Sequence, residues 1–552
     1  MREAKNVLNA ATYGEIHTLQ NLLWKKASLD VKDEENNTPL IIASQNGHCG
    51  AVQLLLDSRS DVNAKNDDGK TALICASEKG DIEVIRILIE AGANINDFDD
   101  DSFTALIAAL HGGHTDVAKF LIAAGANLEA TDRNGYTPLL WAVNNKDHTA
   151  VEMLVGSSEA VLETREARYG NTALMLAASG GQRDIMRMLL QAQADVNART
   201  CGFSCALFDA TRNGDTESVQ MLIDAGADIE CRNDDLATPL TYAATGGMFT
   251  IVQSLVLAKA DIEAKDDYGS TALLCAVGKN HVEIANLLIT AKANLEERDY
   301  ISYTPLMYAA RSGYTDTLHL LINSNADVEG TDEEDNTALI SAAYIGCRDA
   351  VKVLLARKAN IDAVNAKGQT ALIAAASMCH SDVVKILLDS KADVNAKDKK
   401  RRTALITSIL SGDFDCAKMF LAVRADVNVI CDNGDTALTL AIGQKSSDAQ
   451  ELMRSIIEAK GKMEARTEYE MTPLMWAVHK NNLAAVSALI EAKANFETIT
   501  DTGETLFMNA AGNGYSEVLE LLLRAAVDAS NTPETKTHFT RSAPYADSLN
   551  LL

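Results

Sequence analysis

The 552-residue chain holds several side chains capable of chemistry, but few sit where they could act together. His111, His114 and Asp116 are close enough to share a metal ion, yet no further ligand follows at a suitable spacing. Cys201 and Cys205 are the one close pair among ten cysteines, and no second pair lies nearby to complete a four-ligand zinc site. His48, His114, His281 and His380 each stand ten residues after a recurring threonine. A catalytic group is normally singular, so a histidine repeated in register belongs to whatever is being repeated. No phosphate-cradling glycine loop, nucleophile elbow or kinase signature occurs. The sequence therefore assigns no catalytic residue, cofactor or metal ligand, and predicts a protein that is not an enzyme.

The remaining polar and aromatic groups point to recognition. Carboxylate pairs recur at Glu34-Glu35, Asp67-Asp68, Asp100-Asp101, Asp234-Asp235 and Glu333-Glu334. Any one pair reads as a solvated turn, but the first three, over residues 34–101, form a negative ridge suited to a basic segment of a partner. Phe103, Tyr136, Tyr169, Tyr268, Tyr300, Tyr303 and Tyr469 are expected at loop tips. Each is either an interface anchor or a ring covering the neighbouring loop. One strongly basic tip stands apart: Lys399, Lys400, Arg401 and Arg402. The net charge of −27 excludes nucleic-acid binding by the surface as a whole.

These residues are positioned by a repeat. A threonine opening, Thr-x-Leu except for Thr-Leu-Phe at Thr505, recurs every 33 residues from Thr38 to Thr505, with the spacing broken only before Thr172 (35) and Thr472 (36). Weaker copies at Cys205 and near Lys5 bring the total to sixteen. In the copy starting at Thr304, the threonine is an N-cap and Pro305 stands at N1, where a missing N–H costs nothing. Leu306, Ala309 and Ala310 form the stripe of a short first helix that Gly313 ends. Leu318, Leu321 and Ile322 form the stripe of a second. Five of the seven prolines fill the N1 slot: Pro39, Pro138, Pro239, Pro305 and Pro473.

Thr-Pro-Leu, Ala-Ala, Gly-His, Leu-Leu, Gly-Ala-Asp and Val-Asn-Ala at fixed offsets resemble the ankyrin repeat over residues 5–528. The resemblance implies an all-α solenoid of helix-turn-helix units with projecting β-hairpin-like loops, a curved superhelix and a groove that binds proteins. It also makes the four in-register histidines structural. Two departures stand out. The slot where the family often has His holds Ile41, Ile74, Leu140, Thr241 and similar residues, never His. The glycine after the second helix survives at Gly92, Gly125 and Gly226 but is Arg59, Lys259, Lys292, Lys358, Lys391, Arg424 or Lys493 elsewhere. The organisation expected is a capping repeat over 1–37 with Lys25 and Lys26 on its polar face, a solenoid over 38–528, and a polar tail over 529–552, flexible or laid on the last repeat. The extra residues near 156–167 and 443–450 read as a local bend or longer loop rather than a linker.

In such a fold the last two residues before the glycine slot of each first helix face the groove. They are polar or small in most repeats, such as Gln45-Asn46 and Asn144-Asn145. Three consecutive repeats turn apolar there and place Tyr344, Ile345, Met378 and Leu410 side by side, next to Lys399, Lys400 and Arg402. These seven, with Phe103, Tyr136, Tyr300 and Tyr303, are the candidate partner-binding residues. The function expected is a non-enzymatic scaffold that takes an acidic, apolar partner segment at 344–410 and a basic one at 34–101. An architectural component of a cytoskeletal or ciliary assembly is the alternative, and an enzyme-regulating effector a third. Unpaired cysteines, no signal-peptide core and no membrane-length apolar run predict a cytoplasmic protein, or else a nuclear one.

Overall fold

The computed structural model describes residues 2–530 apart from 157–161, 201, 203, 468, 496–497 and 500–502. Among these residues thirty-two helices follow one another in sixteen pairs, and β pairing is confined to four isolated bridges. Local chemistry explains each pair. The threonine hydroxyl accepts the N–H three residues on, as at Thr38 (3.3 Å) and Thr304 (3.3 Å), and so satisfies one orphan donor of the helix. All five prolines predicted at N1 are there. Cys205, which replaces threonine, makes no side-chain cap. Gly313 closes the Pro305–Ser312 helix with φ 71, a left-handed backbone that a side chain disfavours.

The chain forms two compact units, Met1–Cys275 and Ala276–Leu552. Within each, first helices pack on the first helices of the next repeat and second helices on second helices. Small residues make this close approach possible: Ala309, Ala310, Ala342, Ala343, Ala375 and Ala376 are fully buried, with Leu318, Leu321 and Leu354 filling the layer behind. The family-histidine slot is core in Ile41, Ile74 and Ile340, as expected, whereas Met508 of the last repeat is exposed there. Thr241 and Thr439 retain hydrogen bonds there, each donating to the carbonyl of its N-cap threonine at 3.0 Å. The basic residues replacing glycine after the second helix do adopt positive φ, 65° at Lys358 and 69° at Lys391. A cation at a helix C-terminus partly offsets that strain.

In the first unit the opening repeat pairs Arg2–Thr12 with Ile16–Trp24. Lys25 and Lys26 are exposed as expected, but so is Trp24, at 89%. The insertion at 156–167 lies partly outside the described residues. Its described end shows where one extra residue goes: the turn before Thr172 is wider, and Glu166 replaces the usual Asp. The longer side chain takes N–H groups from Arg168 (2.6 Å), Tyr169 (2.7 Å) and Asn171 (3.2 Å).

In the second unit the insertion at 443–450 differs from the expected bend or longer loop. Ser446 caps the Ser447–Glu458 helix at the usual offset, and the helix runs 12 residues against nine in Phe414–Ala422. The extra residues extend a helix because Leu452, Met453 and Ile456 continue its buried stripe. The last helix, Ser516–Ser530, passes the expected end of the repeats at 528. The tail from 531 onward lies outside the described residues.

Candidate functional site

Each loop is closed by one side chain, and this decides what its tip presents. In most repeats the residue five before the threonine is Asp or Asn, and where it closes the turn its Oδ1 accepts the N–H groups of residues two and four further on. Asp99 takes Asp101 (2.9 Å) and Phe103 (2.8 Å); Asp398 takes Lys400 (2.9 Å) and Arg402 (2.8 Å). Asn66, Asn233 and Asn365 do the same. The hairpin-like loops of the resemblance are thus five-residue turns held by a carboxylate or amide rather than by strand ladders. Sequence reasoning missed this group, although its recurrence five residues before most of the threonines was a readable signal.

Consecutive tips join backbone to backbone. The N–H of Asp67 donates to Glu35 O (3.1 Å), that of Asp100 to Asp68 O (2.9 Å) and that of Arg133 to Asp101 O (3.1 Å). The carboxylate pairs of residues 34–101 therefore lie on one continuous row. Glu34, Glu35, Asp67, Asp68 and Asp100 have no ion-pair partner among the described residues, whereas Asp101 meets Arg133 at 2.9 Å. The second unit has tip-to-tip bonds of the same kind: Ala366 N–H donates to Glu334 O (2.7 Å), Lys399 N–H to Lys367 O (3.0 Å) and Asp432 N–H to Lys400 O (3.3 Å).

The apolar strip is exposed as expected: Tyr344 45%, Ile345 39%, Met378 42% and Leu410 47%. It is carried by three successive packed helices, Ala338–Ile345, Ala371–Ser377 (whose C-cap is Met378) and Ala404–Ser411. Four residues after their threonines these repeats hold Ser341, Ala374 and Thr407, small and buried, where other repeats carry Trp141, Tyr242, Tyr308 or Trp476. The strip thus borders a floor of small side chains. Elsewhere the last helix position is often Asn. Asn145 and Asn213 donate to Leu110 O (2.5 Å) and Ala178 O (3.0 Å) of the preceding repeat. Ile345 and Met378 give up that contact.

Lys400, Arg402 and Leu410 share a depression of about 270 Å³ with Asp432 and Leu440. Arg402, expected as part of a cationic rim, is instead held by the buried Asp398, at 2.8 Å through Nε and 2.7 Å through a terminal nitrogen. A carboxylate withdrawn from water at the loop base needs a cation, and Arg402 supplies it. Lys399 and Lys400 are exposed without an ion-pair partner among the described residues.

The aromatic candidates divide by place. Tyr300 is exposed at its tip, as are Tyr169, Tyr268 and Tyr469. Phe103, Tyr136 and Tyr303 are not tip residues. They adjoin the N-cap threonine, so the turn folds them back, half-buried, onto the first helix. Phe103 meets His111 at 5.4 Å and Trp141 at 6.2 Å, Tyr136 meets Trp141 at 5.1 Å, and Tyr303 meets Tyr308 at 5.5 Å. Trp141 Nε1 donates to Asp132 Oδ2 (3.1 Å).

The in-register histidines have a structural task. Nε2 of His48, His114 and His380 reaches back to the carbonyls of Thr12 (3.0 Å), Glu78 (2.9 Å) and Tyr344 (3.0 Å). Each ring covers a glycine of the preceding repeat; a Cβ on Gly80 would lie 2.5 Å from His114. His114 is therefore committed to its neighbour, and His111 to the aromatic cluster. No three His, Cys, Asp or Glu among the described residues are grouped to hold a metal ion.

The model of the family described as "Ankyrin repeats (3 copies)" matches in overlapping windows, 7–99, 96–166, 143–233, 207–299, 240–332, 306–398, 392–462 and 445–532. The chain belongs to the ankyrin-repeat family. Ankyrin repeats are protein–protein interaction modules, and proteins built from them are typically non-enzymatic. Among curated proteins, M-phase phosphoprotein 8 of Rattus norvegicus and of Mus musculus are similar, each 40% identical over 68 residues. That stretch is 12% of this chain and 8% of the length of each relative.

The cysteines of this ankyrin-repeat protein sit mainly within the stack. Burial pushes Cys75 up to about 12. Cys201, close to Cys205 in the sequence, lies outside the described residues; the buried Cys205 faces the buried Cys231 with the two sulfurs 2.7 Å apart. Cys379, beside Met378, is exposed. No helix among the described residues is long and apolar enough to cross a membrane.

Proposed function

We propose that the protein is a non-enzymatic scaffold whose main partner site is the strip Tyr344, Ile345, Met378 and Leu410. The observation that carries this reading is an apolar strip exposed on three consecutive helices, over a floor of small residues and beside Lys399 and Lys400, which are exposed and have no ion-pair partner among the described residues. Isolated apolar side chains on a surface are ordinary, whereas a contiguous row commonly marks an interface. The partner segment would be apolar with acidic flanks: the strip supplies affinity and the lysines fix its direction. Replacing Ile345→Asp together with Met378→Asp is expected to abolish capture of partners from native extract while leaving the helical circular dichroism unchanged. Capture at the wild-type level would sink this placement.

The architectural reading has its own support in a depression of about 430 Å³ among second helices, lined by Leu355, Ile361 and Ile386, away from the strip. Cross-linking in extract separates the two, since a scaffold for one ligand gives a single contiguous footprint. We also place the protein in the cytoplasm, with the nucleus as alternative, on the strength of its free thiols.

A further inference from the structure

The aromatic cluster of the first unit has two counterparts in the second, and the comparison exposes a missing group. In one counterpart Tyr303 and Tyr308 lie edge to face. Arg311, seven residues after its threonine, sits 5.5 Å over the Tyr303 ring and donates to Tyr303 OH (2.5 Å). In the other, Tyr469, Trp476 and His479 stack, and Lys480 sits 4.3 Å from the Trp476 ring. Each ledge thus carries a cation on an aromatic face, where the ring quadrupole attracts it.

The third ledge consists of Phe103, His111, Tyr136 and Trp141, with His111 edge-on to Trp141 at 4.7 Å. No Lys or Arg among the described residues lies over these rings. Arg168, the nearby candidate, is over Tyr169 at 4.9 Å, and Arg133 is with Asp101. The place that Arg311 fills in its repeat is taken here by His111. The adjoining tip row supplies Asp67, Asp68 and Asp100, exposed and without ion-pair partners among the described residues.

We propose that the ledge of Phe103, His111, Tyr136 and Trp141 takes the arginine or lysine side chain of a basic segment of a partner protein. The rings supply the face that the other two ledges offer to their own cations, and the carboxylates of the neighbouring tips hold the rest of the basic segment. The site is independent of the strip at Tyr344–Leu410 and has the opposite charge preference. Trp141 is the anchor, because its indole N–H is already fixed on Asp132 and its ring is held from two sides by Tyr136 and His111.

The test uses the full chain labelled with 5-fluorotryptophan, which gives one signal each for Trp24, Trp141 and Trp476, assigned with Trp141→Phe. The probe is the peptide Gly-Arg-Gly-Arg-Gly amide, and the control has citrulline for both arginines. The arginine peptide is expected to shift the Trp141 signal and leave Trp24 and Trp476 in place, with no shift from citrulline. Trp141→Ala should weaken binding about three- to tenfold. His111→Arg, which recreates the Arg311 arrangement and keeps Trp141, should weaken it comparably. An unmoved Trp141 signal at saturating peptide, an equal response to citrulline, or unchanged affinity in His111→Arg would each overturn the proposal. Association with the acidic tips alone would appear as unchanged affinity in both variants.

Discussion

The turns before Thr104 and Thr403 share one backbone and differ in what surrounds it. Both are five-residue loops closed by a buried aspartate that takes two N–H groups at nearly the same distances. At 99–103 the aspartate has no cation bonded to it among the described residues, and the tip is a carboxylate pair, with Phe103 folded back behind it onto the first helix. At 398–402 the aspartate is neutralised by Arg402, and the tip is two lysines beside an aliphatic strip. The repeat therefore fixes geometry while leaving charge free, and one scaffold can present opposite surfaces in different repeats. The difference also changes what each aspartate contributes to stability.

The largest stability effect should separate these two turns. Asp398→Ala leaves two backbone donors and a half-covered guanidinium without their acceptor, at an expected cost of about 2–3 kcal/mol. Asp99→Ala leaves two donors only, at about 1–2 kcal/mol. Urea unfolding, with hydrogen exchange at the amides of residues 400 and 402 against 101 and 103, measures both. Equal losses would mean that the Arg402 pair adds nothing, and that the basic tip is organised by its backbone alone.

Much of the fold was legible because the physics recurs with the period. Thr304, Pro305, Leu306 and Gly313 each do one local job, and repetition separates that job from accident. Tyr344, Ile345, Met378 and Leu410 were legible for the converse reason, as departures from a slot whose usual occupants are polar. Phe103, Tyr136 and Tyr303 were misplaced because loop membership in the sequence does not say which turn residues fold back. That depends on the Asp99-type hydrogen bonds, which set the direction of the residue next to the cap. Arg402 was placed on the rim from its charge alone, whereas its partner Asp398 lies only four residues away, buried at the base of the same turn. The helix extension at Ser447–Glu458 needed the buried stripe of Leu452, Met453 and Ile456 to be seen as continuous.

A smaller effect concerns strain near the strip. Nine residues after the threonine the acidic region has Gly80 and Gly113 at φ 82 and 73, and the strip region has Gly346 at 87 and Gly412 at 75. Between the last two, Cys379 holds φ 60 with a side chain. Cys379→Gly should therefore stabilise by up to about 1 kcal/mol. Capture by the strip should be unchanged, since neither Met378 nor Leu410 is altered. Destabilisation would show that the Cys379 side chain, whose thiol is pushed up by burial and the nearby Asp413, packs better than its backbone suggests.

The finest test lies within the first unit, where two loop-closing carboxylates shift in opposite directions. Burial pushes Asp99 up, against the pull of the Phe103 and Asp101 amides. Burial alone would raise Glu166 too, but the amides of Asn171, Arg168 and Tyr169 hold it below its ordinary value. A raised carboxyl contributes stability that is present below its unfolded pKa and lost as pH rises through its folded pKa. A depressed one contributes stability that is present above its unfolded pKa and lost as pH falls through its folded pKa. Asp99→Asn keeps the acceptor that Asn66 and Asn365 use naturally. It should be neutral to slightly stabilising at pH 7, and the gain should disappear as pH falls through the range near the usual Asp value of about 4. Glu166→Gln loses one of two acceptor oxygens and should cost about 1 kcal/mol at pH 7, with the deficit shrinking over the same fall in pH. Urea midpoints of the two variants relative to wild type should therefore diverge as pH rises from acid to neutral. Parallel curves would show that the wider turn, rather than the charge on Glu166, accounts for its place in the loop.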